Sequence, residues 1–285
     1  MRQAPGVPSV DEVQELADLY VHRPLARPLV KWLSRTPATP NQVTILSGAS
    51  GVLAAACIAS SRQRPVLRLA AALLLFASAV LDCADGQLAR RRRDSTPEGS
   101  ALDGLSDEVV GFALILAGTY IAQERYGADT WLVGGAAMVS SSLQCFLFDV
   151  AKERYLARFG IVSDTSKLAL AAMADGRSRD HSGSEAGVVT RWLQGMFDGY
   201  VGRMRTLARW WPDAARDGRP AARRRMRAWA MLGMGTHMAC GYIAAAASFF
   251  WLPALYVCLV VFSTVMNVML LTFVLRDKTA ARSAP

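Results

Sequence analysis

Leu81-Asp-Cys-Ala-Asp-Gly-Gln-Leu-Ala-Arg90 and Gly99-Ser-Ala-Leu-Asp-Gly-Leu-Ser-Asp107 are the two stretches that decide the fold of this chain. They contain four acidic residues, Asp82, Asp85, Asp103 and Asp107. The acids are spaced by three residues in the first pair and by four in the second, so each pair shares one face of a helix. Both pairs adjoin long apolar segments, and carboxylates at the edge of a bilayer require a counter-charge. A bound divalent cation is the simplest source of that charge.

The overall composition is typical of a membrane protein. The chain has 285 residues, of which 52% are hydrophobic, and a mean hydropathy of +0.22. Six apolar segments are long enough, or nearly so, to span a bilayer. They are 43–60, 66–83, 101–123, 131–150, 228–248 and 249–274. We therefore predict an all-α polytopic membrane protein with six transmembrane helices. Phe249, Phe250, Trp251 and Pro253 predict a tight turn between the last two.

The distribution of charge predicts the orientation in the membrane. The net charge of +9 could suggest a nucleic-acid partner, but no basic stripe with interleaved aromatic residues supports one. If the six segments alternate, 28 of the 32 lysines and arginines fall on one side, and residues 151–227 carry sixteen of them. The positive-inside rule then places both termini and the four acids in the cytosol. We predict a multi-pass protein of the inner (cytoplasmic) membrane, without a signal peptide.

Four regions follow along the chain. Residues 1–35 predict a cytosolic amphipathic helix on the membrane surface, from Val10 to Arg35, with a soluble capping helix as the alternative. Residues 36–160 hold the first four spans and the acidic motif. Residues 161–227 predict a cytosolic insert with a second amphipathic helix, for which a packed soluble hairpin is the alternative. Its apolar face is predicted to contain Val188, Trp192, Met196, Tyr200, Met204, Leu207 and Trp211. Residues 228–285 hold the last two spans and a cytosolic tail.

The acids predict phosphoryl chemistry on a lipid substrate. Four carboxylates at one depth suit a hard cation, and Mg²⁺ or Mn²⁺ favours carboxylate, phosphate and water oxygens. Two such ions can stabilise the attacking and the leaving oxygen. Gly86 permits close approach of the backbone to a ligand, and Arg90 can bind a phosphate with two hydrogen bonds. The simpler alternative is that the acids only pair with Arg90–Arg93.

The spacing Asp82-x2-Asp85-Gly86-x2-Ala89-Arg90-x8-Gly99-x3-Asp103-x3-Asp107 resembles the motif of the CDP-alcohol phosphotransferases, and every fixed position matches. The resemblance covers residues 10–160 well and 161–227 poorly. It implies that Asp82, Asp85 and Asp103 are metal ligands, and that Asp107 is the general base and also a candidate ligand. It further implies contacts to the CDP-linked donor from the residues Asn41, Gln42, Val43, Thr44, Gly86, Arg90 and Thr96.

The resemblance implies a reaction but leaves the acceptor open. A phosphatidyl or other phospho-alcohol group moves from a CDP-alcohol, expected to be CDP-diacylglycerol, to a polar alcohol, and CMP is released. Inositol phosphate and glycerol phosphate are candidate acceptors, although the arginine-rich motif of inositol-phosphate-using relatives is not found after the fourth span. Lys152, Arg223 and Arg227 are candidate acceptor contacts, with positive-inside anchoring as the alternative. The resemblance also implies a homodimer.

A non-catalytic transporter or scaffold that retained the fold is the alternative function. Transporters carry ionisable residues in the middle of their spans, whereas the acids here lie at the ends. His237 is the main exception, and we interpret it as a satisfied packing residue. The five cysteines lie in apolar segments and predict reduced thiols.

Overall fold

In a computed structural model of the protein, the described residues are 10–163, 165–169, 187–210 and 218–282. They form helices joined by short loops and contain no β-strand, which confirms the all-α prediction. The helices are α1 (Arg23–Leu33), α2 (Pro40–Ala59), α3 (Val66–Arg92), α4 (Pro97–Tyr126), α5 (Thr130–Arg158), α6 (Val188–Trp210), α7 (Arg219–Trp229), α8 (Met234–Phe250), α9 (Pro253–Val260) and α10 (Met266–Arg282).

Five helical segments of the described chain are long and apolar enough to cross a membrane, so the predicted number of six is not confirmed. They are Pro40–Ala59, Val66–Arg92, Pro97–Tyr126, Thr130–Arg158 and Pro253–Lys278. The predicted segment 228–248 is interrupted at Gly233, which has an extended conformation (φ −84°, ψ 169°). Helix α8 begins after it and has 17 residues, or about 25 Å at a rise of about 1.5 Å per residue. That length falls short of a hydrocarbon core of about 30 Å.

The predicted turn between the last two apolar segments is confirmed. Helix α8 ends at Phe250, Trp251 is extended (φ −143°, ψ 91°), and Pro253 is the first residue of α9. Proline suits this position because the first residue of a helix has no intrahelical partner for its N–H. A π-helical turn, Val261–Val265, then joins α9 to α10.

The predicted N-terminal helix is divided into three pieces. Residues Val10–Val13 form a 3₁₀ turn, Asp18–His22 a π-helical turn, and α1 follows. Pro24, at the start of α1, lacks an N–H group, so the preceding turn cannot continue through it with regular α-helical hydrogen bonds, whereas Pro28 lies inside α1. Helix α1 buries Ala26, Val30 and Leu33 against α3, and it exposes Leu25 and Trp32.

Close packing of small residues brings α2, α3 and α4 together. The Ser47 hydroxyl donates to the Ser78 carbonyl at 2.9 Å, which joins α2 to α3. A Cβ at Gly51 would lie 2.5 Å from a methyl group of Val110, so glycine permits the close approach of α4. Since α3 and α4 are antiparallel neighbours in the chain, the end of α3 lies beside the start of α4. The two acid pairs occupy those ends.

The insert helix α6 is confirmed, and of its predicted apolar face Met204 is buried while Met196, Tyr200 and Leu207 are half-buried. It packs against α4 and α5 through Leu193, Phe197, Val201 and Met204. Val188 and Trp192 are exposed, and Trp211 lies outside the described residues. Apolar residues at helical spacing extend beyond the predicted face, and the contact with α4 and α5 buries the part that includes Phe197.

Candidate active site

Three of the four acids meet where α3 ends and α4 begins. One carboxylate oxygen each from Asp82, Asp85 and Asp103 lies within 4.8 Å of the others. At this separation the negative charges of Asp82 and Asp103 repel each other, so the pair favours a bound cation. Asp85 is buried, with 4% of its surface exposed. We refer to these three residues as the acid cluster.

A hydroxyl from the first span orients one member of the acid cluster. Thr44 donates to Oδ2 of Asp85 at 2.5 Å and also lies 3.2 Å from the Pro40 carbonyl. The position of Thr44 follows from the start of α2, where Thr39 is the N-cap and Pro40 the first helical residue. Gln42 completes a capping box, since its backbone N–H donates to the Thr39 hydroxyl and its side chain accepts from the Thr39 N–H.

Asp85 and Asp103 of the acid cluster line a cavity of about 320 Å³. Helices α2, α3 and α4 contribute one wall, formed by Pro40, Asn41, Thr44, Asp85, Gly86, Ala89, Arg90, Thr96, Gly99, Ser100 and Asp103, with Asp94 and Ser95 between helices. Of the four predicted donor contacts in α2, Asn41 and Thr44 therefore lie at the cavity. Gln42 caps the helix and Val43 is buried against Ala26, Leu33 and Leu88.

Two glycines that line the cavity, Gly86 and Gly99, lie close to polar side chains of the same lining. A Cβ at Gly99 would lie 3.0 Å from Oδ1 of Asn41 and 3.1 Å from the Thr96 hydroxyl. Thr96 is the N-cap of α4 and accepts from the Gly99 N–H at 3.0 Å. A Cβ at Gly86 would lie 3.4 Å from the Arg90 guanidinium. The predicted residues Gly86, Arg90 and Thr96 are thus brought together on one wall.

The acid cluster fits a divalent cation. It offers only oxygen ligands, which Mg²⁺ and Mn²⁺ prefer. In addition, Oδ1 of Asp103 is buried without a hydrogen-bond partner among the described residues. A buried acceptor of this kind is costly unless a ligand satisfies it. A second group of potential ligands, Asp18, His22 and Cys83, also lies within 4.8 Å, but His22 already bonds Asp18 at 2.8 Å.

Asp107 lies apart from the acid cluster. It is one helical turn beyond Asp103 on α4, and it does not belong to the group whose oxygens lie within 4.8 Å. Its charge interacts with those of Asp82, Asp85 and Asp103, so it remains within electrostatic range. The next residue, Glu108, accepts a hydrogen bond from Ser142 at 2.9 Å. The position of Asp107 suits a role beside the cluster, and its predicted roles as base and ligand stay predictions.

The three candidate acceptor contacts are separated by the fold. Lys152 on α5 lines the cavity, and its Nζ lies 3.5 Å from Oδ1 of Asp149. Arg223 and Arg227 lie on α7 and are not among the described residues that line the cavity. Arg223 is exposed to solvent.

Sequence reasoning missed the contribution of the N-terminal segment. Gln14, Glu15, Asp18 and Arg23 form a second wall of the cavity, together with Lys152 and Glu153 from α5. Glu12, Glu15 and Asp18 recur at every third residue, a pattern that could have indicated a functional face. The segment was instead interpreted only as a membrane-surface helix.

Two carboxylates attach this segment to the helix bundle. Glu12 accepts from the Tyr155 hydroxyl at 2.6 Å and from Arg219 at 2.7 Å. Although burial acts to raise the pKa of Glu12, those two donors lower it below its ordinary value. Oε2 of Glu15 accepts from the Thr236 N–H at 2.6 Å, at the start of α8. Burial, with the nearby charge of Asp18, raises the pKa of Glu15 to about 8.

Other predictions about polar residues in the spans are borne out. Nδ1 of His237 donates to the Gly233 carbonyl at 2.8 Å, and Nε2 lies 3.0 Å from Oε1 of Gln144. It is a satisfied packing residue, as predicted. All five cysteines are free thiols.

Comparison with known proteins agrees with this site. Residues 37–174 match the family model described as CDP-alcohol phosphatidyltransferase, a range that contains α2 to α5 and the whole acid cluster. This part of the chain, somewhat less than half of it, is therefore similar to a CDP-alcohol phosphatidyltransferase domain. Over 147 residues it is also 35% identical to a bifunctional IPC transferase and DIPP synthase of Rubrobacter xylanophilus. That alignment covers 50% of this chain and 31% of the relative.

Proposed function

We propose that this protein is a membrane-embedded CDP-alcohol phosphotransferase. The observation that carries the proposal is the acid cluster, whose three carboxylate oxygens lie within 4.8 Å of one another and two of whose members, Asp85 and Asp103, line the same cavity as Arg90 and Thr96. The match of residues 37–174 to the CDP-alcohol phosphatidyltransferase family model supports the reaction class. The donor is a CDP-alcohol, for which we propose CDP-diacylglycerol.

The donor lies against the wall built by α2, α3 and α4. Asn41, Gly86 and Thr96 bound the space for the cytidine and the diphosphate, while Arg90 offers a guanidinium to the diphosphate. The predicted contacts Gln42 and Val43 act through the start of α2, since one caps it and the other packs it onto α3. Arginine suits the diphosphate because its planar group can make two parallel hydrogen bonds.

We propose that Asp82, Asp85, Asp103 and Asp107 hold Mg²⁺ or Mn²⁺, as two ions. When bound, divalent ions neutralise the diphosphate and polarise its phosphorus–oxygen bonds. The unpartnered Oδ1 of Asp103 supports a ligand role for that residue. The Thr44 hydroxyl keeps Asp85 oriented toward the cavity.

The reaction follows from the placement of the acids. Asp107 accepts the proton of the acceptor hydroxyl, whose oxygen attacks the phosphorus on the lipid side of the diphosphate. A new oxygen–phosphorus bond forms, and the bond from that phosphorus to the oxygen of CMP breaks. CMP leaves with the electron pair, and its added charge is stabilised by Arg90. Asp107 suits the base because it lies outside the acid cluster and still within electrostatic range of it.

The acceptor enters on the opposite wall, which carries Lys152. We propose a polar alcohol, with inositol phosphate and glycerol phosphate as candidates. Arg223 and Arg227 would guide an anionic acceptor from outside the cavity, since α7 does not line it in the described structure.

The setting of the site is also proposed. The apolar helices embed the protein in a membrane. We propose the inner membrane, with the active site and both termini in the cytosol, because the basic residues concentrate on that side. We propose the four regions 1–35, 36–160, 161–227 and 228–285 as its functional divisions, and a homodimer as its assembly.

The test is CMP release by the purified protein. CDP-diacylglycerol, Mg²⁺ and a panel of polar alcohols and their phosphates are supplied, and lipid products are identified by mass spectrometry. We expect CMP only when both metal and an acceptor are present, and we expect Asp107→Asn to abolish release while the protein stays folded. No CMP with any metal or acceptor would favour the transporter or scaffold, and a fully active Asp107→Asn would remove Asp107 as the base.

A further inference from the structure

Arg23 occupies an unusual position for a residue of a membrane-surface helix. It is the first residue of α1, and its side chain lines the same cavity as Asp85, Asp103 and Arg90. Its carbonyl lies 3.5 Å from Nε2 of Gln87 on α3, and Ala26, one turn further on, is fully buried. These contacts hold the start of α1 against α3, so the guanidinium is kept at the cavity.

The Arg23 side chain has unused hydrogen-bonding capacity. Its Nε is buried and has no hydrogen-bond partner among the described residues. A buried donor without a partner is costly and is normally satisfied by protein, water or ligand. An arginine offers five N–H donors in a planar fork, which matches the oxygens of a phosphate. The cavity is therefore lined by an arginine whose Nε is not satisfied by any residue that the structure describes.

Three cations from three different elements surround the acid cluster. The charge of Arg23 acts on Asp82, that of Arg90 on Asp85 and Asp103, and that of Lys152 on Asp103. Arg90 comes from α3 and Lys152 from α5, so Arg23 adds a positive charge from the N-terminal segment. A ligand with more than one phosphate group would match several cations that line one cavity.

We propose that Arg23 binds a phosphate group of a substrate in this cavity. The inference rests on the proposed phosphotransferase function, whose two substrates offer two sources of phosphate. These are the diphosphate of the CDP-linked donor and the phosphate of a phosphorylated acceptor. The N-terminal segment is then part of the substrate site and more than a membrane anchor. The competing account is that Arg23 only balances the charge of Asp82 and supports the fold.

The donor is tested by direct binding. Full-length protein in detergent is titrated with CDP in the presence of Mg²⁺, for wild type, Arg23→Gln and Arg23→Lys. Arg27→Gln is the matched control, because Arg27 lies one turn further along α1, is exposed and does not line the cavity. If Arg23 contacts the donor, Arg23→Gln weakens CDP binding about 10-fold or more, and Arg27→Gln leaves it unchanged.

The acceptor is tested by comparing glycerol 3-phosphate with glycerol, and inositol phosphate with inositol, in the CMP-release assay. If Arg23 contacts the acceptor phosphate, Arg23→Gln raises the KM of the phosphorylated compound about 10-fold or more, leaves that of the unphosphorylated one unchanged, and spares CDP binding. Arg23→Lys keeps the positive charge but loses the planar guanidinium, so we expect its affinity to lie between those of Arg23→Gln and the wild type.

The inference is overturned if Arg23→Gln changes neither CDP affinity nor the KM of any phosphorylated acceptor, or if the wild type binds neither probe. Should Arg23→Gln fail to fold, Arg23→Lys carries the test, and unchanged affinity for both probes in that variant overturns the inference. A wild type that binds CDP but never releases CMP would refute the phosphotransferase, while the CDP titrations still report on Arg23.

Discussion

The hydroxyl of Thr44 donates a 2.5 Å hydrogen bond to Oδ2 of Asp85, and so joins the first span to the acid cluster. The two residues are 41 positions apart in the chain, and both are buried. A buried carboxylate can be held in several orientations, and this bond selects one of them. The residues around the acid cluster should therefore influence metal binding as well as the acids themselves.

Thr44→Val should weaken the binding of Mg²⁺ without preventing folding. Valine keeps the shape of threonine but cannot donate to Asp85, and loss of a group that orients a metal ligand typically costs about 10- to 100-fold in metal affinity or activity. The measurement is the Mg²⁺ concentration that gives half-maximal CMP release. Ser50→Ala is the control, because Ser50 is exposed on the same helix and bonds only the Leu46 carbonyl. An unchanged Mg²⁺ requirement in Thr44→Val would contradict the role of this bond.

Gly99→Ala should impair donor binding. The added Cβ would lie 3.0 Å from Oδ1 of Asn41 and 3.1 Å from the Thr96 hydroxyl, closer than ordinary contact. We expect the KM for CDP-diacylglycerol to rise about 10-fold, which corresponds to a loss of about 1.4 kcal/mol in binding free energy. Gly104→Ala, on the same helix, is the comparison, since no atom lies within 4 Å of its added Cβ. Equal KM values in the two variants would argue against a donor wall at Gly99.

Glu15 should make stability depend on pH in the direction opposite to an ordinary ion-paired acid. Its pKa is raised from 4.5 to about 8, so the folded protein binds more protons than the unfolded chain between those values. The stabilisation is complete below pH about 4.5 and is lost as the pH rises through about 8. The Tm of the wild type should fall from pH 5 to pH 8, and Glu15→Gln should reduce that fall.

Glu12 provides the control for the proposed effect of Glu15 on the pH dependence of stability. The lowered pKa of Glu12 gives a contribution that is present at neutral pH and is lost as the pH falls through the lowered value. Glu12→Gln should therefore leave the decline of Tm between pH 5 and pH 8 in place. If Glu15→Gln retains the full decline as well, the titration of Glu15 is not its cause.

Arg92→Ala should destabilise the loop between α1 and α2. The guanidinium donates to three carbonyl groups, those of Leu33 at 2.9 Å, of Thr36 at 2.7 Å and of Ala38. Hydrogen bonds from a charged group contribute more to stability than neutral ones, so their loss should lower the free energy of unfolding by about 2 kcal/mol. Thermal unfolding in detergent measures the change, with Arg91→Ala on the exposed neighbouring position as control. Equal Tm values for the two variants would show that these bonds contribute no net stability.

Much of the candidate site could be predicted because it is local in the chain. Asp82 and Asp85 share a helical face by spacing alone, and Gly86 and Arg90 follow within two turns. Thr96 and Gly99 lie at the start of the next helix, where the N-cap bond joins them. For these residues, adjacency in sequence and adjacency in space coincide.

The predictions that depended on distant packing were less complete. Arg223 and Arg227 were expected near the acceptor, but α7 follows an insert whose path the sequence does not reveal, and they do not line the described cavity. The predicted number of six spans is not confirmed, because the hydropathy of segment 228–248 does not show that Gly233 is extended and separates α7 from α8. The same limit hid the burial of Phe197 and Val201 on α6.

The sequence by itself determined the all-α membrane class, the pairing of the acids and the resemblance to a family motif, since apolar length, helical spacing and motif residues are local properties of the chain. Only the tertiary structure decided that Asp82, Asp85 and Asp103 form one cluster from which Asp107 stands apart. It also decided that Glu15 and Arg23 face that cluster across one cavity. The physical reason is that these positions depend on how α1, α3, α4 and α8 pack. Packing joins residues that are distant in the sequence, such as Glu15 and Thr236, which are 221 positions apart.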